Sequence, residues 1–359
     1  MLIVKETKGP YLFLKTILFT FIFLFTFFLI TLVAGALYGF SQFKIFTNTA
    51  NITTNQFKKT LQQGWQTSLI SENGKVNFLL LGVDSLKTRG NSLPLTDTMM
   101  LISLDTKSGK ITTLPLPRDL YSDQYQTKIN ALYVYGLEKN PQNPEKFSQQ
   151  VISEMTNLKI HHTLVLSMDQ VSEIINLLSG IEVDVEKGFV DNEFPNPNVD
   201  VTKEKDPAKL YMSVEFKPGK EVMNGQRALQ YIRSRHSEDL QAGTDDARSK
   251  RQQQVINSLI SKLKQQDVIF NPTTLGLLYR YYLDNFDQYF PMTQIVSLAK
   301  TSYQVRNNIE FISQHLTIFP DDLQGIIYHP PTKQTKNLWV YSIKDPAKFP
   351  EQIKSLLNQ

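Results

Sequence analysis

Val76-Asn77-Phe78-Leu79-Leu80-Leu81-Gly82-Val83-Asp84 is a short apolar run, strand-like in length and content, that closes on a glycine and an acid. Working outward, Thr98–Asp105 and Ile111–Leu116 have the same character and read as neighbouring central strands. Beyond them, Asn143–Thr156 has helical spacing of apolar residues, and His162–Ser167 returns to strand character. Met168–Leu178 is helical again and Ile181–Val185 is another strand. This alternation predicts an α/β fold, a layered α-β-α domain around a central mixed sheet.

Residues 192–219 mix Pro, Asn, Asp and Lys and read as an exposed excursion with a hairpin around Met212–Phe216. Helices are predicted at Gln226–Ile232, Asp245–Leu263, Thr274–Asn285 and Thr293–Val305, the second with an apolar face of Val255, Ile256, Leu259, Ile260 and Leu263. Pro330-Pro331 interrupt the chain before a last strand at Leu338–Ser342 and a short helix at Pro350–Leu357.

Ile17–Phe40 carries no charge and exceeds the roughly 20 residues that a bilayer crossing needs. It reads as a transmembrane anchor, longer than the core of about 7–15 residues usual in a cleaved signal. Lys5, Lys8 and Lys15 precede it, whereas Lys44 is the first charge after it, which places the N-terminus in the cytoplasm and the folded part outside. The expected organisation is a cytoplasmic N-terminus (1–16), the anchor (17–40), a stalk or linker rich in Asn, Thr and Gln (41–75), a catalytic domain (76–320) and a C-terminal extension (321–359). With 41% hydrophobic and 20% charged residues, the 359-residue chain is globular in composition. It has no cysteine, so disulfides, thiolate zinc sites and thiol catalysis are excluded. A net charge of +4 suits anionic partners without being a nucleic-acid signature, and no recognition-helix pattern stands out.

Asp84 follows one predicted strand and Asp97 precedes the next, and strand ends are where α/β sheets place their ligands. Two hard carboxylates suit Mg2+ or Mn2+, which completes its shell with water and phosphate oxygens; the plainer reading of each is a turn cap. Arg118 and Asp119 follow Ile111–Leu116 directly, and Lys128 adds a cation shortly after. A guanidinium donates two parallel hydrogen bonds to phosphate. The densest signal is Tyr231-Ile232-Arg233-Ser234-Arg235, followed by Thr244-Asp245-Asp246-Ala247-Arg248-Ser249-Lys250-Arg251-Gln252-Gln253. In extended chain Arg233 and Arg235 point the same way, and Arg248 and Arg251 share a helix face. Four arginines repel one another unless an anion sits among them, although a solvated basic face explains them too.

In order and context, Gly82-Val83-Asp84-Ser85, Thr96-Asp97-Thr98-Met99-Met100, Pro117-Arg118-Asp119, Lys128-Ile129-Asn130-Ala131, Asn224-Gly225 with Ala228, and Arg233–Gln253 resemble the LytR-CpsA-Psr family of cell-envelope proteins. The resemblance spans about Val76 to Leu263. The chain departs from the family pattern at Leu95-Thr96, where Arg-Ser is common, and in a short stretch between Arg118 and Lys128.

The resemblance implies one N-terminal membrane helix, an extracytoplasmic α/β domain, and transfer of a glycan polymer from a polyprenyl-pyrophosphate carrier to a cell-wall acceptor such as peptidoglycan. It makes Asp84 and Asp97 the metal carboxylates. Arg118, Arg233, Arg235, Arg248 and Arg251 become the pyrophosphate-contacting set, with Gln252 and Lys128 beside them. Arg118, Asp119 and Asp245 are the expected catalytic groups, Asp119 or Asp245 being able to take the hydroxyl proton. The expected partners are the lipid-linked donor, the wall acceptor and the bilayer, with no nucleic acid. A hydrolase acting on the same lipid, or a non-catalytic regulator binding it, are the competing functions.

Overall fold

The computed structural model describes residues 9–83, 94–196, 199, 203–204, 206–235 and 245–358, with backbone alone at 9–23, 25, 207, 208, 245, 246, 249 and 358. The central sheet has five strands: β1 (Lys75–Val83), β2 (Thr96–Asp105), β3 (Lys110–Leu116), β4 (His162–Ser167) and β5 (Glu310–Ser313). Among the described residues, ten helices of eight or more residues frame it and the N-terminus: α1 (Gly9–Thr49), α2 (Thr54–Gln66), α3 (Leu132–Lys139), α4 (Glu145–Thr156), α5 (Met168–Leu177), α6 (Gly225–Arg233), α7 (Asp245–Leu263), α8 (Pro272–Asn285), α9 (Met292–Gln304) and α10 (Phe349–Asn358).

The strand order is β5-β3-β2-β1-β4, with β2 antiparallel to both neighbours and the outer pairs parallel. The sheet is therefore mixed. The C-terminal ends of β1, β3, β4 and β5 and the N-terminal end of β2 share one edge.

Period-two alternation sorts the strand residues onto two faces. Leu79, Leu81 and Val83 of β1 join Met99, Leu101, Leu114 and Leu116 in the main core, together with Val151 and Ile152 of α4 and Phe349, Ile353 and Leu357 of α10. Val76, Phe78 and Leu104 point the other way, onto Phe290, with Ile295 and Leu298 of α9 packed against them. Helices thus cover both faces, and each fully buried leucine contributes about 1.5–3 kcal/mol. The residues after 320 complete the main core, because α10 fills it from the C-terminal end of the chain. The predicted last strand, Leu338–Ser342, is paired only toward its end, at Tyr341, which bridges Leu120, and at Ser342–Ile343.

A second core lies beside the first. The strands at the two ends of the predicted excursion contribute to it: Phe189–Pro195 pairs antiparallel with Tyr211–Phe216, burying Phe194, Val214 and Phe216 with Tyr231, Ile232 and Val255. Ile181–Val185 pairs with Gly219–Met223 under the same cluster. Two local devices set this unit on the sheet. Ser167, at the end of β4, caps α5 in a reciprocal box with Gln170. At the start of α6, Asn224 caps the helix and the Gly225 N–H donates to Asn176 Oδ1 at 2.8 Å. Only glycine fits there, since an added Cβ would collide with the Ser172 carbonyl.

At the N-terminus, α1 is continuous through Thr49, and among the described residues it is the one helix long and apolar enough to cross a membrane. Residues 41–75 are not a free stalk. Gly276 of α8 lies flat against the backbone of α1 at Phe46 and Ala50, and the rings of Phe43, Phe46, Phe57 and Tyr279 pack with centroids 5.4–6.2 Å apart. Gly64 of α2 meets Val296 of α9 in the same close way.

Candidate active site

The shared sheet edge carries the first cluster. Between β1 and β2 the register jumps from Gly82↔Thr98 to Val83↔Thr96, so Asp97 is an extra residue with no partner across the ladder. Such a bulge bends its strand and re-aims a side chain. Gly82 permits it, because a Cβ there would stand 2.9 Å from Thr98 Cβ.

Asp97 is aimed at the residue that leaves β3: Arg118 Nη1 donates to Asp97 Oδ1 at 2.7 Å. Arg118 Nε lies 3.5 Å from Asp119 Oδ2, and Lys128 Nζ donates to Asp119 Oδ1 at 2.6 Å. Lys128 is delivered by a short ribbon in which Tyr121 pairs with Lys128, anchored by the fully buried Leu120. The result is an alternating row of acid, base, acid, base. All four side chains are partly exposed, so each pair contributes at most about 1 kcal/mol and the row serves geometry more than stability. Both Asp119 oxygens face cations, which makes Asp119 a holder of Arg118 and Lys128.

The second cluster is built on the second core. Arg233 ends α6, Ser234 is its C-cap, and Arg235 follows, exposed, outside the helix. The Arg235 N–H donates to Asp191 Oδ2 at 3.0 Å, and Arg251 Nη2 donates to the Ser234 carbonyl at 2.6 Å. Arg251 is buried, 5% exposed, with its guanidinium 4.7 Å from the Phe189 ring centroid and 5.9 Å from that of Tyr231. Burial pulls Arg251 below the usual guanidinium range, and the nearby Asp191 acts in the opposite direction. Burial pushes the Tyr231 phenol up to about 12, and its hydroxyl donates to Gln254 Oε1 at 2.7 Å. Arg248 and Gln252 are half-buried on α7, one turn apart.

Asp97, Arg118, Asp119 and Lys128 are thus brought into one network, and Arg235 and Arg251 are held through Asp191 and Ser234 in another, with Arg233 adjoining it at the end of α6. Asp84 lies outside the described residues, as does the side chain of Asp245, whose backbone opens α7. Among the described residues no group of three or more His, Asp or Glu could hold a metal by itself. The donor chemistry still fits a magnesium-type ion that takes few protein ligands: Asp97 is a hard carboxylate at the edge, with Oδ1 bonded to Arg118. Sequence reasoning missed Asp191, which reads as the start of a loop but is 1% exposed and bonded to two backbone N–H groups. A cleft of about 800 Å3 lined by Glu72, Asn77, Lys159 and Lys354 opens at the opposite edge of the sheet, away from all these groups.

The LytR_cpsA_psr family model matches residues 40–344. The polyisoprenyl-teichoic acid–peptidoglycan teichoic acid transferase TagU of Oceanobacillus iheyensis is 26% identical over 264 residues, 73% of this chain and 72% of that protein. Biofilm regulatory protein A of Streptococcus mutans is 28% identical over 267 residues, 69% of this chain and 58% of that one. Among solved structures, Bacillus subtilis YwtF (TagT) with bound octaprenyl pyrophosphate lipid aligns over 82% of this chain and 98% of its own, with 18% identity and a TM-score of 0.45.

Proposed function

The chain belongs to the LytR_cpsA_psr family, and on that premise we propose that it is a membrane-anchored phosphotransferase that moves a glycan polymer from a polyprenyl-pyrophosphate carrier to a hydroxyl of the cell wall, peptidoglycan being the acceptor that its relatives' names carry. The observation that carries this reading is Arg118 held between Asp97 and Asp119 at the sheet edge, a fixed guanidinium where phosphate oxygens would arrive. The α1 helix keeps the domain beside a donor that is itself dissolved in the bilayer, with the N-terminus cytoplasmic and the domain outside.

In the reaction, the acceptor hydroxyl oxygen attacks the phosphorus nearest the glycan. A new P–O bond forms, the bond to the bridging oxygen breaks, and polyprenyl phosphate leaves with that electron pair. The hydroxyl proton passes to a base, for which Asp119 and Asp245 are the candidate carboxylates; both oxygens of Asp119 are turned to cations. Arg118 and Lys128 bind oxygens on one side of the pyrophosphate, and Arg233, Arg235, Arg248 and Gln252 complete the shell. Catalysis is then mostly positioning and charge stabilisation. Asp84 and Asp97 would hold Mg2+ or Mn2+, which when bound neutralises charge on the pyrophosphate.

The test is the full chain in detergent micelles with a polyprenyl-pyrophosphate glycan and a wall acceptor, with and without Mg2+. Glycan phosphate covalently on the acceptor supports transfer. Free glycan phosphate, with or without acceptor, would identify a hydrolase instead, and binding without turnover a regulatory protein.

A further inference from the structure

We propose that Asp191 and Arg251 are positioning residues that clamp the Arg233-Ser234-Arg235 turn from two sides, and that Arg251 acts through the Ser234 carbonyl rather than on phosphate. The inference rests on the reading that Arg233 and Arg235 meet the pyrophosphate. From one side, Asp191 accepts the Arg235 N–H at 3.0 Å through Oδ2 while its Oδ1 accepts the Glu193 N–H at 3.0 Å. From the other, Arg251 Nη2 reaches the Ser234 carbonyl at 2.6 Å. Ser234 closes the turn on itself, its N–H and Oγ both donating to the Gln230 carbonyl, at 3.1 and 2.9 Å. The Ser234 N–H, the Ser234 carbonyl and the Arg235 N–H, which lie between the two arginines, are therefore each committed.

Burial separates the roles. Asp191 and Ser234 are each 1% exposed and Arg251 5%, whereas Arg233 is half-buried and Arg235 exposed. A guanidinium suits the Arg251 position because it can lie on the Phe189 and Tyr231 rings and still donate in its own plane. Lysine, a point charge on a flexible stem, cannot do both. Asp191 and Arg251 are opposite charges, both buried, and each bonds the backbone of the turn that carries Arg233 and Arg235.

The experiment compares wild type, Arg251→Lys and Asp191→Asn as full chains in micelles. It reads transfer kinetics, affinity for inorganic pyrophosphate, and hydrogen exchange of the peptide spanning residues 231–235. Asn keeps an oxygen for the Arg235 N–H, so it removes charge without removing the acceptor, and each variant is first checked for a cooperative melt. We expect both variants to speed Arg235 exchange and to lower kcat/KM about 10- to 100-fold, the scale of a misplaced catalytic group. Weakened pyrophosphate binding in Arg251→Lys with unchanged exchange would make Arg251 a direct contact and overturn the clamp. Faster exchange with wild-type kinetics would overturn the positioning role. A wild-type chain that neither binds pyrophosphate nor transfers glycan would overturn the functional reading, and the positioning role with it.

Discussion

Asp97 accepts a 2.7 Å hydrogen bond from Arg118 although the two stand 21 residues apart, Asp97 on β2 and Arg118 two residues past the end of β3. The bond exists because a bulge turns Asp97 out of its ladder just where β3 releases Arg118. A side chain that would otherwise take its place in the pleat instead orients a cation.

Arg118→Ala should lower kcat/KM for transfer about 100- to 1000-fold, the loss typical of removing one donor that stabilises transition-state charge. Urea unfolding should change by no more than about 1 kcal/mol, since the pairs it breaks are partly exposed. A loss of several kcal/mol would mean that Arg118 holds the fold rather than the substrate.

Gly82→Val tests the bulge. Its Cβ would press on Thr98, 2.9 Å away in the present geometry, and push β2 outward at Asp97. Overpacking costs about 1–3 kcal/mol. The transfer rate should fall further than this loss of folded protein explains, and equal rates per folded molecule would show that the bulge has no part in activity.

If Asp97 is a metal ligand, EDTA should stop transfer and added Mg2+ should restore it. Asp97→Asn should raise the Mg2+ needed for half-maximal rate by more than the roughly tenfold that loss of an outer-shell partner costs. A rate indifferent to EDTA would remove the metal from the mechanism.

His162 supplies a pH dependence of stability remote from the site. It is buried between Phe78 and Phe290, with centroids at 5.4 and 4.6 Å, and burial lowers its pKa from 6.5. Above 6.5 the imidazole is neutral in both folded and unfolded chains. As pH falls below that value the unfolded chain takes up a proton first, so stability declines from pH 6.5 down to the folded-state pKa. Burial shifts His161 in the same direction and adds to the decline. Urea melts at pH 5 and 7.5 should show it, and His162→Phe should shrink the difference.

The apolar character of Val76–Leu81, Thr98–Asp105 and Ile111–Leu116 is enough to read the three central strands, because a strand covered on both faces is apolar along nearly its whole length. Arg118 was legible for the same reason, standing directly after such a strand. The bulge at Asp97 was not, since it exists only in the pairing of two strands. β5 escaped notice because Glu310–Ser313 is short and mostly exposed, and its pairing with β3 is a long-range choice. Asp191 was hidden by composition: in a polar stretch an acid reads as solvated, and only the folded hairpin buries it. The segment 41–66 looked like a spacer because its few aromatic residues find their partners on α8 and α9, more than two hundred residues later.

The unbroken passage of α1 into its seat on α8 makes the anchor a stiff mast instead of a tether. Each residue inserted between the apolar run and Phe46 would lift the catalytic edge about 1.5 Å and swivel it by close to a third of a turn. If α1 crosses a bilayer, the height and heading of the sheet edge above the lipid are written into that one helix.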